Sequence, residues 1–198
     1  MKLKFLVTLF GLLMAFHLQA DQINEGDSPS RKIHFEVKPN NQETKDIWLS
    51  PKDHKDNAVK LCETPGWGNL NIHFSPDDFW IIVEDGGASL GIHLTLFQRV
   101  KGVNFKEMKD VDIEGKAIQF AMKQNGLLGE GDLDHQYVHV LNWSSDSKFI
   151  LISVSGAGRR DKYGVSIAGW NVIYNLGTGQ FSFDLNKINA GAVEKSRN

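Results

Sequence analysis

Two stretches of the chain carry the same pattern of apolar and polar positions. Ile72-His73-Phe74, the polar Ser75-Pro76-Asp77-Asp78 and the run Phe79-Trp80-Ile81-Ile82-Val83 return at an offset of 69 residues. The second copy reads Leu141-Asn142-Trp143, Ser144-Ser145-Asp146-Ser147 and Lys148-Phe149-Ile150-Leu151-Ile152. Each copy predicts a strand ending in an aromatic residue, a four-residue turn with Ser first and Asp third, and a second strand.

In the first copy Ile92, Leu94 and Leu96 predict a third strand after Asp85-Gly86-Gly87, and Val103-Asn104-Phe105 a fourth after Gly102. This makes one antiparallel meander over about 70–107. The second spans about 137–185, and its fourth strand follows Gly177-Thr178-Gly179. In its third strand Tyr163, Val165 and Ile167 are odd-numbered while Trp170, Val172 and Tyr174 are even, so Ala168-Gly169 must absorb a bulge or break. Aligning Phe97 with Tyr174 gives an offset of 77, which puts eight extra residues in the loop Ser155 to Lys162.

Between the meanders the period changes. Ile113, Ala117, Phe120 and Ala121 form one stripe on a helix over 113–125, with Asp112 as N-cap and Gly126 as stop, and the stripe predicts packing on a sheet face. Upstream, Ile33 to Val37, Asp46 to Leu49 and Ala58 to Glu63 read as strands of a partial N-terminal unit, with Lys52 to Asn57 as a solvated turn. Residues 21–31 read as a flexible lead-in and 189–198 as a frayed tail, around one β-rich domain over 32–188.

The order Ile47-Trp48-Leu49, Val59-Lys60-Leu61, a Pro-Gly loop, then Phe74-Ser75-Pro76-Asp77 and an apolar strand resembles the blade repeat of TolB-type β-propellers. There an aromatic-Ser-Pro-Asp-Gly turn joins the first two strands of each blade. Asp78 and Ser147 stand where the repeat has Gly, and Ser145 stands for Pro. The resemblance implies a mainly β fold of two blade-like meanders plus an N-terminal partial unit; with so few units these either complete a small, degenerate propeller or, the favoured expectation, form an open fan or sandwich capped by the helix over 113–125. It implies nothing about activity.

Composition adds a compartment. Lys2 and Lys4, an apolar run from Phe5 to Phe16 and Ala20 before Asp21 have the layout of a secretory signal peptide over 1–20, too short to span a bilayer. Its removal takes out two lysines and no acid, so the formal charge of −2 becomes −4. A mildly acidic secreted or periplasmic chain is poorly suited to nucleic-acid binding, which needs clustered Lys and Arg. The single Cys62 cannot form an intramolecular disulfide. It reads as a buried free thiol or, alternatively, as a bridge between two copies. An open sheet edge gives a second route to self-association or partner docking.

If the blade grammar holds, the loops between blades and those between second and third strands share one rim. That rim would gather Trp67, Glu130, Asp132, Asp134, His135, Arg159 and Arg160 into a binding face for a protein, small molecule or glycan. The alternative structural reading pairs the arginines with the acids and uses Trp67 to close a core edge. Asp132-Leu133-Asp134-His135 offers alternate oxygen ligands but lacks the distal acid of a calcium loop, and His73, His93 and His139 lack zinc spacing, so no metal or cofactor is expected. Asp77 and Asp146 are expected to bond local backbone amides instead of acting in catalysis. Gly156-Ala157-Gly158 opens no helix and no nucleophile elbow is present. The leading expectation is a non-enzymatic exported binding or assembly protein of a bacterial envelope or its surroundings. The rival is a small secreted hydrolase or metal-dependent enzyme using Asp132, Asp134, His135 and Arg159.

Overall fold

The computed structural model describes residues 24–40, 43–65, 68–86, 91–125, 133–158 and 166–188. Residues 1–20, where a signal peptide is expected, Gly126 and the tail from 189 lie outside them. The chain is mainly β, with twelve strands among the described residues in three four-stranded antiparallel sheets. The N-terminal sheet holds β1 (Glu25–Asp27), β2 (Ile33–Pro39), β3 (Thr44–Pro51) and β4 (Val59–Pro65). The middle sheet holds β5 (Asn69–Phe74), β6 (Trp80–Gly86), β7 (Ile92–Lys101) and β8 (Asn104–Glu107). After α1 (Ile113–Gln124) come β9 (Leu133–Trp143), β10 (Phe149–Gly158), β11 (Ser166–Asn175) and β12 (Gln180–Ser182) of the C-terminal sheet. Each sheet is a simple meander in chain order.

The N-terminal unit is therefore complete, which corrects the expectation of a partial unit behind a lead-in over 21–31. Its first strand is only Glu25-Gly26-Asp27, two acids around a glycine, and has no apolar alternation to reveal it. Gly26 is required by close approach, because a Cβ there would lie 2.6 Å from the Phe35 ring opposite. The turn after β1, Ser28-Pro29-Ser30-Arg31, is a third copy of the recurrent turn. Its backbone bond from Ser28 N to Ile33 O measures 2.8 Å, against 2.9 Å for Ser75 N to Trp80 O and 2.9 Å for Ser144 N to Phe149 O. The fourth residue is left-handed in all three, with φ of 59° at Arg31, 58° at Asp78 and 60° at Ser147.

The sheets stack in sequence. Ile81, Ile82 and Val83 are consecutive and at most 1% exposed. Alternation along the strand sends Ile81 and Val83 into a core with Ile33, Phe35, Ile47 and Leu49 of the N-terminal sheet. Ile82 points the other way, into a core with Val138, Ile150, Ile152, Val172 and the buried face of α1. The middle sheet is thus covered on both faces, and no core cluster among the described residues joins the C-terminal sheet back to the N-terminal one. This is an open stack.

The far face of the N-terminal sheet is polar. Lys38 pairs with Glu36 at 2.9 Å and lies 5.9 Å from the centroid of Trp48, Lys60 pairs with Asp46 at 2.8 Å, and His34 Nδ1 is 3.0 Å from Asp27. A charged outer face of this kind ends a repeat stack in the way capping repeats do.

α1 forms where its stripe predicts, with Asp112 accepting the Gly115 N–H at 2.7 Å, but the buried face is Ile113, Ala117, Ile118, Ala121 and Met122, and Phe120 of the expected stripe is only partly buried at its margin. The register change also stands where expected. Val154 faces Trp170 and Gly156 faces Ile167, so β11 carries one extra residue around Ala168-Gly169, with Gly169 at φ 59°.

Candidate functional site

Each recurrent turn is built by its first and third residues. Ser75 Oγ donates to Asp77 at 2.6 Å and accepts the Trp80 N–H at 2.9 Å, while Asp77 accepts the Phe79 N–H at 3.0 Å. Ser144 and Asp146 repeat the arrangement at 2.7, 2.9 and 3.2 Å with Phe149 and Lys148. Both recurrent aspartates are thereby committed to local backbone, as the turn chemistry predicts.

The fourth residue does something else. Asp78, 1% exposed, accepts the Ser28 hydroxyl at 2.8 Å and also the Ser30 hydroxyl, both from the preceding turn. Ser147 Oγ accepts the Asp77 N–H at 3.2 Å, again from the preceding turn. The two positions that depart from Gly are therefore those that tie one sheet to the sheet before it. A glycine would adopt the left-handed backbone at less cost but could not make the tie.

These bonds bring the three turn ends together, and the loop ends lie opposite. Thr44 pairs with Pro65, Asn69 with Gly86 and Leu133 with Gly158. The strands flanking residues 66–67, 87–90 and 159–165, and β9 after residues 126–132, therefore stop or start at the end of the stack remote from the turns.

That end is pinned by a cluster that sequence reading did not identify. Glu84 of β6, with its side chain 5% exposed, sits between the middle and C-terminal sheets. Its Oε1 accepts Asn71 Nδ2 at 3.0 Å and lies 3.0 Å from His139 Nδ1; its Oε2 accepts the Val140 N–H at 3.0 Å. His73 Nε2 stands 3.3 Å from Oε2, close enough for an ion pair but without the alignment of a hydrogen bond. Burial pushes this carboxyl up, but His73, the Val140 N–H, His139 and Asn71 together outweigh it and hold it down to about 2. The signal was available in Glu84 itself, an acid in register with Ile82 on a face that is otherwise apolar.

With both carboxylate oxygens already engaged, Glu84 has little left to offer a metal. Among the described residues no group of three or more His, Cys, Asp or Glu side chains could hold a metal ion. A second imidazole–carboxylate pair, His93 Nδ1 to Glu114 at 3.4 Å, links β7 to α1, and burial raises the Glu114 carboxyl. Burial also raises the neighbouring Asp85.

Of the residues expected at the rim, Trp67, Glu130, Asp132, Arg159 and Arg160 lie outside the described residues, as does the side chain of Asp134. The Asp134 backbone pairs with Ala157. His135 is exposed, with φ 52°, beside a register shift between Ser155 and Ala157. Cys62 is half-buried, and burial pushes its thiol up to about 12. No described helix is long and apolar enough to cross a membrane.

Fold and site together define a mainly β protein made of three stacked meanders joined turn to turn. No family model and no curated protein matches the chain. Among solved structures it is similar to the crystal structure of TolB from Acinetobacter baumannii, at 13% identity and a TM-score of 0.42. That likeness covers 80% of this chain but only 31% of the TolB chain.

Proposed function

We propose that the chain is an exported, non-enzymatic binding or assembly protein, secreted or periplasmic, whose loop end receives a protein, small-molecule or glycan ligand. The observation that supports this reading is the division of labour between the two ends of the stack. At one end the recurrent Ser and Asp side chains are committed to their own turns and the fourth-position Asp78 and Ser147 to joining sheets, and at the junction near the other Glu84 is occupied by four neighbours. Chemistry that looks catalytic in the sequence is thus accounted for structurally. The scaffold holds the loop-bearing strand ends in a fixed relation, and binding residues are commonly carried by loops on such a scaffold. Trp67 would supply a stacking surface, Glu130, Asp132 and Asp134 the acids, and Arg159 and Arg160 the guanidinium pair.

The test is a set of alanine variants at Trp67, Asp134 and His135 and a double variant at Arg159 and Arg160. Each is assayed by thermal unfolding, by glycan and peptide arrays, and by a broad hydrolase screen. Binding by the parent that is lost in stable variants supports the proposal. Hydrolysis by the parent that is abolished in the Asp134 or His135 variant replaces it with the enzymatic reading.

A further inference from the structure

The last strand of each sheet lies at an edge, and these three last strands differ in a way that bears on association. An edge strand exposes unpaired N–H and C=O groups, and proteins commonly protect such edges with charge. β4 carries exposed Lys60 and Glu63, and β8 carries exposed Lys106 and Glu107. β12 is Gln180-Phe181-Ser182 with no charge, and Phe183 follows it directly.

Phe183 is 47% exposed and Leu185, two residues on, is 53% exposed. The Phe183 ring stacks on Phe120 of α1 at 5.3 Å and meets Trp170 of β11 edge-on at 4.9 Å, while Phe120 also stacks on Phe181 at 5.5 Å. Among the described residues this uncharged edge thus runs beside a continuous aromatic surface. Lys116 and Lys123 lie one turn to either side of Phe120 on α1, both exposed and without an ion pair among the described residues.

We infer that the β12 edge with its Phe120–Trp170–Phe183 surface is a pairing interface for a second copy of this chain. In a two-fold contact the same patch serves both partners, so it must be self-complementary in apolar surface and in charge. An edge without charge can lie against its own image. The lysines require an acid, and Asp184, adjacent to Phe183, is exposed and makes no ion pair among the described residues. Antiparallel pairing of β12 with its copy joins the two C-terminal sheets, brings the aromatic surfaces together and sets Asp184 of each copy against the lysines of the other. The pairing does not depend on what the loop end binds.

Sedimentation velocity of the mature chain over a concentration series, in reducing buffer so that Cys62 cannot contribute a disulfide, tests this. A reversible dimer is expected. Phe183→Ser should raise its dissociation constant by about tenfold or more. Lys116→Glu with Lys123→Glu should also weaken it, and adding Asp184→Lys to that pair should restore it. All of these positions are exposed or half-exposed, and unchanged thermal unfolding confirms that the variants fold. A chain that stays monomeric at every concentration overturns the proposal. So does a dimer indifferent to Phe183→Ser, or a charge reversal that Asp184→Lys does not rescue.

Discussion

Asp78 accepts a hydrogen bond of 2.8 Å from Ser28, fifty residues earlier in the chain, inside a junction between two sheets. The bond exists because both residues occupy the same kind of turn in successive sheets, and because the fourth position of that turn faces the preceding one.

Removing Asp78 should therefore loosen the N-terminal junction. Asp78→Ala deletes a buried acceptor of two hydroxyls while keeping the left-handed backbone, and should cost about 2 to 4 kcal/mol. Asp78→Gly loses the same bonds but relieves a left-handed φ of 58°, and should recover about 1 kcal/mol of that loss. Urea unfolding with an unchanged m-value reads both, and a double-mutant cycle of Ser28→Ala with Asp78→Ala should show coupling of at least about 0.5 kcal/mol.

The repeat itself predicts matched penalties. Ser75→Ala and Ser144→Ala each remove one bond to a carboxylate and one from a strand N–H, at nearly equal distances, and Ser144→Ala also removes a longer one from the Lys148 N–H at 3.2 Å, which Asp146 shares. Each should destabilise by about 1 to 3 kcal/mol and the two should agree within about 1 kcal/mol. A large loss at one site with none at the other would separate turns that the geometry makes equivalent.

Glu84 sets the acid limb of stability. Its carboxyl is held at about 2 against an ordinary 4.5, so its contribution is fully present above the ordinary value and disappears as pH falls through about 2. The shift corresponds to about 3 kcal/mol for this buried group. Glu84→Gln should be less stable than the parent at neutral pH and should show a flatter decline between neutral pH and pH about 2. Urea midpoints at a series of pH values give the comparison.

Cys62 should be inert in the folded chain. A thiol pushed up to about 12 is almost wholly protonated at neutral pH, and the thiolate is the nucleophile. Iodoacetamide labelling should be slow in buffer and rise by about tenfold or more in urea.

Much of this fold was legible in the sequence because its strongest signals are local. The turns at Ser75 and Ser144, the N-cap at Asp112 and the parity change at Ala168-Gly169 each depend on a few adjacent residues. Their geometry follows from turn, cap and bulge chemistry. The third turn was not legible, since Ser30 stands where the other copies have Asp, Arg31 holds the fourth position, and no aromatic residue precedes Ser28. Glu84 escaped for a different reason: its place in register with Ile82 marks it as a buried acid, but its four neighbours come from β5 and β9, and no spacing within one strand names them. The expected rim residues remain proposals, because nearly all of their side chains lie outside the described residues.

The backward direction of the turn-to-turn bonds has a consequence for how the chain is made. The Ser28 turn precedes Asp78 in the chain, and the Asp77 amide precedes Ser147, so each meander after the first carries the residue that ties it to the one made before it. The dependence runs the other way for the core: the Ile82 and Glu84 face of the middle sheet is covered only by the helix and sheet that follow it, so a chain cut short after β8 would keep its backward tie and leave that face bare.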